Sequence, residues 1–242
     1  MTSNATPYHL RVLRRLVTAS ASRAQRDVSG VLADIDGAEL INSCLDQPNH
    51  RLLSIMAAQS YRHANGFDKI SFSRLPGSDV RLRLHIWPGT AGAQSDPDAH
   101  NHRWAFVSRV LCGALANYNY AVAHKQTGEF MRYVQTPYTP EVGSTFAFVG
   151  CATLTQLDAI RVAEGGTYSL SAQEIHRVVV PENGYTATLA LELAPTRDTA
   201  DLYTASSFKQ TGVVVDSPRF TSDEVRDRLT LLRDRLHQGA GT

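Results

Sequence analysis

The chain has 242 residues, 43% of them apolar, 19% charged and 8% aromatic, too apolar for a disordered segment and ample for a buried core. Twenty-four Lys and Arg against 23 Asp and Glu leave a net charge of +1, so no strong field invites nucleic acid or a membrane surface, and neither partner is implied. Cys44, Cys112 and Cys151, odd in number and without a CxxC pair, exclude a disulfide framework and read as reduced thiols of a cytoplasmic protein.

No signal peptide is readable at the N-terminus. The longest uncharged run, residues 142–157, is broken by polar residues and falls short of the roughly 20 apolar residues of a membrane span. From Pro7 to about His63 apolar residues recur at helical spacing, as in Leu10, Leu13, Leu16 and Val17, with turn chemistry at Ser29-Gly30, Asp36-Gly37 and Pro48-Asn49. This predicts an N-terminal arm of three or four short helices over residues 1–66.

After Gly66 the period changes to two. In residues 80–87, Leu82, Leu84 and Ile86 share one face and Arg81, Arg83 and His85 the other. Further strand-like segments fall at 106–111, 114–122, 130–135, 144–149, 160–162, 167–171, 177–180 and 186–193, separated by Pro88-Gly89, Thr127-Gly128, Gly165-Gly166 and Asn183-Gly184. Many short strands with turn signals predict a small barrel or sandwich over residues 67–195. Residues 196–218 are polar apart from Val213-Val214-Val215. Thr221 and Glu224 then match a capping box ahead of Val225, Leu229, Leu232 and Leu236, so residues 196–242 form an extension ending in a helix that packs back on the body.

Three histidines carry the chemistry. His100 and His102, two apart on a strand, put both imidazoles on one face, and His176 from a strand opposite completes a set of three neutral ligands with open positions for a metal. Without a carboxylate among the ligands, the charge of a divalent ion stays uncompensated and favours anionic substrates such as thiolates and carboxylates.

The spacing of these residues resembles the cupin superfamily. His100 and His102 fit its first motif, with Phe106 where the motif has Glu and Gly113 at its Gly; Gly165 and His176 fit the second, with Ser171 and Gln173 replacing its Pro and second Gly and Val180 its Asn. The resemblance implies a mainly β fold, a small cupin barrel (double-stranded β-helix or jelly roll), flanked here by the N-terminal helical arm and the C-terminal helix. A cupin with three His and no Glu is similar to the thiol dioxygenases, of which cysteine dioxygenase is the familiar member. Phe72-Ser73-Arg74 resembles the family's aromatic-x-Arg, which implies Arg74 as a clamp for a substrate carboxylate. Residues 84–89 resemble the strand ending in Trp-Gly before the HxH, and His176-Arg177-Val178 matches the tripeptide at the third ligand.

Neither half of the family's cysteine–tyrosine crosslink is present. Its cysteine falls at Phe106 or Val107 and its Ser-x-His-x-Tyr on residues 189–193, so the pocket wall near the last strand is expected to be more apolar. Hydropathy places Leu82, Leu84 and Ile86 inward and the basic face of that strand in water, with His85 as the exception that reaches the substrate. Tyr118 and Tyr120 alternate with Asn117 and Asn119, and a tyrosine hydroxyl near the metal is the expectation. Trp104 beside the ligands reads as core packing.

Together these imply a mononuclear non-haem Fe(II) cupin dioxygenase or oxidase. It would act on a small amino acid or thiol such as L-cysteine, with O2 as co-substrate, in bacterial specialised biosynthesis. Ni, Zn or Mn are the other metals such ligands take. The alternatives are a redox-neutral Zn or Ni lyase, isomerase or bond-forming enzyme on a carboxylated amine, or a cupin that binds its ligand without turnover. The superfamily's habit of pairing implies a homodimer.

Overall fold

A computed structural model describes residues 6–21, 25–46, 51–63, 65–72, 77–89, 98–137, 144–205 and 217–239. Four helices come first: α1 (Tyr8–Ala21), α2 (Gln25–Ala33), α3 (Gly37–Leu45) and α4 (Arg51–Ala57). Ser29-Gly30 is not a break but lies inside α2. The start of α3 is set by Asp36, whose side chain accepts from the Glu39 backbone N–H at 2.9 Å, an N-cap interaction.

Twelve strands follow: β1 (Tyr61–Arg62), β2 (Asp68–Ser71), β3 (Arg81–Trp87), β4 (Ala99–His100), β5 (Phe106–Cys112), β6 (Ala114–Lys125), β7 (Phe130–Gln135), β8 (Phe146–Ala163), β9 (Thr167–Leu170), β10 (Ile175–Val179), β11 (Thr186–Glu192) and β12 (Ala200–Thr204). They form two antiparallel sheets. One runs β1-β2-β3-β11-β5-β9; the other runs β10-β4-β12-β7-β8-β6 and closes on itself through the pairing of β6 with β10. The mainly β fold with helices at both ends is as the sequence leads one to expect.

Two segments differ. The strands expected at 144–149 and 160–162 are one continuous β8, because the residues between them hold no Pro or Asn and no Gly pair that would turn the chain. Gly150, with φ of 142°, and two bulges bend the strand without ending it. Beyond Pro195, within the segment read as a polar extension, β12 enters the second sheet between β4 and β7, and Leu202 pairs with His100. Val213-Val214-Val215 lies outside the described residues.

The last helix, α5 (Ser222–Gly239), begins with the expected capping box. Thr221 Oγ1 accepts from the Glu224 N–H at 3.2 Å, and Glu224 Oε2 accepts from the Thr221 N–H at 2.8 Å. Its Val225, Leu229 and Leu232 join Leu13, Leu16, Leu40, Ile41 and Met56 of the first helices in one core against the first sheet. Arg228 Nε ties the helix to Asp68 of β2 at 2.7 Å. The sheet gives this core Leu82, Leu84 and Ile86 from β3, Val107 and Leu111 from β5, and Ala187, Leu189 and Leu191 from β11. Each fully buried Val, Leu, Ile or Met among these contributes about 1.5–3 kcal/mol.

Strand alternation turns the other residues of β3, β5 and β11 toward the second sheet, and these are buried too: Arg83, Phe106, Ser108, Thr188, Ala190 and Glu192. The sheet is therefore covered on both faces, by helices outside and by the barrel interior within. This corrects the expectation that the basic face of residues 80–87 lies in water. Gly113 joins β5 to β6 at φ of 80°, and a Cβ there would stand 2.4 Å from the Tyr185 carbonyl oxygen, so only glycine fits the corner at this motif position. Among the described residues no helix is long and apolar enough to cross a membrane.

Candidate metal centre

Strand pairing brings the histidines together. His176 on β10 is the direct cross-strand partner of His100 on β4. His102 follows two residues later, just past the end of β4 rather than on a strand as expected. Ring centroids are 4.8 Å apart for His100 and His102, 4.8 Å for His100 and His176, and 5.1 Å for His102 and His176. One potential ligand atom from each ring lies within 4.8 Å of the others, and the Nε2 atoms of His102 and His176 face each other at 3.0 Å.

The chemistry of the donor set fits a metal ion. Two neutral imidazole nitrogens aimed at each other repel unless a proton or cation sits between them, and 3.0 Å is a separation that one ion bonded to each at about 2.0–2.1 Å spans. Burial lowers the pKa of all three rings, and the neighbouring imidazoles lower it further in His102 and His176, so the rings are held neutral as ligands must be. His100 Nδ1 lies 3.0 Å from the Asp98 carbonyl oxygen and His176 Nδ1 lies 2.7 Å from Asn117 Oδ1; both acceptors call for a proton on Nδ1 and leave Nε2 as the electron-pair donor. At the position of the cupin motif's Glu, the buried Phe106 sets its ring edge-on to His102 at 5.0 Å and offers no fourth ligand.

Around this cluster the structure places the other sequence candidates unequally. His85 lies on the interior face of β3 against Phe67, at 4.7 Å between centroids, and its Nε2 is buried with no hydrogen-bond partner among the described residues. Burial, then the charge of Lys69, bring its pKa down to about 3, and it is coupled electrostatically to His100, so it belongs to the same interior. Tyr118 and Tyr120 are not brought to the histidines. Asn117 and Asn119 occupy the face of β6 that meets His176, while the two tyrosine rings flank the Arg177 guanidinium on the other face, at 5.7 and 5.8 Å. Tyr120 instead lines an open cavity of about 440 Å³ with Asn101, Arg132, Arg197, Asp201 and Tyr203. Arg74 lies outside the described residues.

Sequence reasoning missed a buried charge cluster. Glu192 of β11 receives Lys69 Nζ at 3.1 Å and Arg83 Nε at 2.7 Å on the same oxygen, with side chains only 5%, 12% and 10% exposed. Arg83 also donates to Ser71 Oγ. Burial alone would raise the Glu192 pKa, but the Arg83 and Lys69 charges and their hydrogen bonds outweigh it and hold the carboxyl down to about 2. Its second oxygen, Oε2, is buried without a hydrogen-bond partner among the described residues. The wall at β11 thus carries a charge, which overturns the expectation that residues 189–193 make it more apolar. The available signal was Glu192 itself, a lone charge in an otherwise uncharged strand that requires a buried cation.

Trp104 joins the two clusters. Its ring stacks on His102 at 6.0 Å, and Lys69 Nζ and the Arg81 guanidinium lie 6.0 and 5.7 Å from its centroid. The Lys69 charge in turn lowers the pKa of His100 and His102.

No family model matches the chain, and no curated protein matches it. Solved structures similar to it include a cupin superfamily protein from Desulfitobacterium hafniense, at 9% identity over 62% of this chain and 92% of that one with a TM-score of 0.29. A cupin domain from Bordetella pertussis Tohama I is 16% identical over 51% and 91% of the two chains, with a TM-score of 0.24. Hydroxypropylphosphonic acid epoxidase from S. wedmorenis is 9% identical over 79% and 100%, with a TM-score of 0.35. At these identities and TM-scores the neighbours assign neither a family nor an activity to this chain.

Proposed function

We propose that the chain is a mononuclear metal enzyme of the three-histidine cupin type that oxidises a small amino acid or thiol with dioxygen. The observation that carries this reading is the convergence of His100, His102 and His176, with two Nε2 atoms 3.0 Å apart and no carboxylate grouped with them among the described residues. Fe(II) is the metal we assign; Ni, Zn and Mn are accepted by the same nitrogen donors. Held by these three nitrogens, a redox-active ion would supply the chemistry for reaction of an anionic substrate group with dioxygen.

The chain's own residues select the substrate. Lys69 and Arg83 bring two positive charges against the single negative charge of Glu192, so the cluster carries a net +1 and attracts an anionic group. Glu192 Oε2, still unpaired among the described residues, is an acceptor for an ammonium. Cation and anion side by side complement the charges of a zwitterion, and a thiolate is the kind of anionic group that a divalent ion held by three neutral imidazoles would attract. Phe106 lies against His102 and His176, and Phe67 and Trp87 lie against His85, so aromatic rings line this interior.

The test is dioxygen uptake by protein loaded anaerobically with Fe(II), with L-cysteine and a panel of thiols and amino acids, and His176→Ala as control. Uptake that requires both substrate and His176 is expected. Stoichiometric iron with no uptake on any of them would overturn the oxygenase reading in favour of a redox-neutral enzyme or a ligand-binding cupin.

A further inference from the structure

A chain of side-chain hydrogen bonds runs from the three histidines to a solvent-exposed carboxylate. His176 Nδ1 is 2.7 Å from Asn117 Oδ1, Asn117 Nδ2 donates to Asn119 Oδ1 at 2.9 Å, and Asn119 Nδ2 donates to Asp158 Oδ1 at 2.7 Å. Asn117 and Asn119 are buried at 0% and 9% exposure and share one face of β6. Asp158, on β8, is the direct cross-strand partner of Asn119 and is exposed.

The ends of this chain are not equivalent. An amide can be turned to donate or to accept, so two amides in series transmit a polarity without choosing it. A carboxylate only accepts. It compels Asn119 to present its NH2 outward and its oxygen inward, Asn117 then presents its NH2 to Asn119 and its oxygen to His176, and that oxygen is satisfied only by a proton on Nδ1. With both amides reversed, all the bonds between them persist, but Asn117 offers its NH2 to His176 Nδ1. The ring proton then moves to Nε2, where it points at His102 Nε2 and closes the coordination site.

We propose that Asp158 is a positioning residue for the metal centre: through Asn119 and Asn117 it fixes His176 in the tautomer whose Nε2 carries the free electron pair. This rests on reading the three histidines as a metal site, although the tautomer itself is a property of the metal-free protein. Sequence spacing gives no hint of it, since Asp158 lies 18 residues before His176 and on a different strand.

The experiment reads the tautomer and the metal separately. Histidine-labelled, metal-free protein is compared by long-range 15N–1H correlation for the unsubstituted chain, Asp158→Asn and Asp158→Glu, and Zn(II) affinity is measured for each by chelator competition. In the unsubstituted chain His176 is expected as the Nδ1–H form. Asp158→Asn, whose amide can donate to a reversed Asn119, is expected to populate the Nε2–H form and to weaken Zn(II) binding about 10-fold to 100-fold. Asp158→Glu, still an acceptor only, is expected to keep both. An Nε2–H ring in the unsubstituted chain, or an Asp158→Asn protein with unchanged tautomer and affinity, would overturn the proposal. If no variant takes up Zn(II), the metal-centre reading fails, while the tautomer shift on Asp158→Asn still decides the role of Asp158.

Discussion

Arg83 and Glu192, from neighbouring antiparallel strands, meet at 2.7 Å inside the barrel with 10% and 5% of their side chains exposed. Replacing Glu192 by Gln leaves Arg83 and Lys69 as two buried cations without a counter-charge. We expect a loss of about 3–5 kcal/mol in urea denaturation at pH 7, the usual cost of breaking a buried pair. The Glu192 pKa is depressed to about 2, so its contribution is fully present above the ordinary carboxylate value and is lost as pH falls through that range toward 2. The gap between the two proteins should narrow accordingly, and a gap that stays constant from pH 7 to pH 3 would assign the effect to shape rather than charge.

His85 makes a separate pH prediction. The unfolded chain protonates it near 6.5, whereas the folded chain resists protonation down to about 3, because burial and the Lys69 charge oppose the imidazolium. Between those values the unfolded state binds the extra proton, so the stability contributed above pH 6.5 is lost as pH falls. His85→Gln should flatten the stability profile between pH 6 and 4 by about 1.4 kcal/mol per pH unit relative to the parent. Denaturation series for the two proteins that run parallel would show His85 protonated in the fold.

Phe106 stands beside two of the three imidazoles, its ring centroid 5.0 Å from His102 and 5.7 Å from His176. Phe106→Glu should add a negative ligand, raising Mn(II) affinity and lowering the affinity of the Co(II)-loaded protein for azide, each by roughly tenfold. Azide titration followed by absorption reads this directly. Unchanged azide affinity would put position 106 outside the reach of the metal.

The helical arm is held to the barrel at its own carbonyls. Arg109 of β5, on the helix-facing side of the sheet, donates through one guanidinium nitrogen to the Ile35 carbonyl at 2.6 Å and the Leu32 carbonyl at 3.4 Å, at the end of α2. Arg109→Ala should cost about 1.5–3 kcal/mol, as expected for charged hydrogen bonds. Amide hydrogen exchange should localise the loss to α2, and uniform loss across the sheets would contradict that assignment.

Periodicity made the helices, most strands and the HxH pair legible, because each is a local pattern. What it did not reveal depends on neighbours distant in sequence. Alternation in residues 80–87 was correct as a pattern, but whether its basic face meets water depends on a second sheet that the strand cannot announce. Tyr118 and Tyr120 looked like the functional face of β6 because tyrosine carries a reactive hydroxyl, whereas the asparagines between them face His176. Lys69 and Glu192 drew no notice because an ion pair across 123 residues leaves no spacing to read. β12 escaped because its five residues, Ala200–Thr204, mix polar and apolar side chains without strict alternation.

All seven residues of β11 are buried, yet neighbours along it answer to different surroundings. Ala187, Leu189 and Leu191 belong to the helical layer, while Thr186, Thr188, Ala190 and Glu192 turn the other way. Two sets of codons with separate duties are therefore interleaved within one short stretch. The lining of the chamber can be varied at Thr188 and Ala190 while the foundations rest on the other set, and a library confined to those two positions would reshape the chamber and leave both the helical layer and the Glu192 charge pair in place.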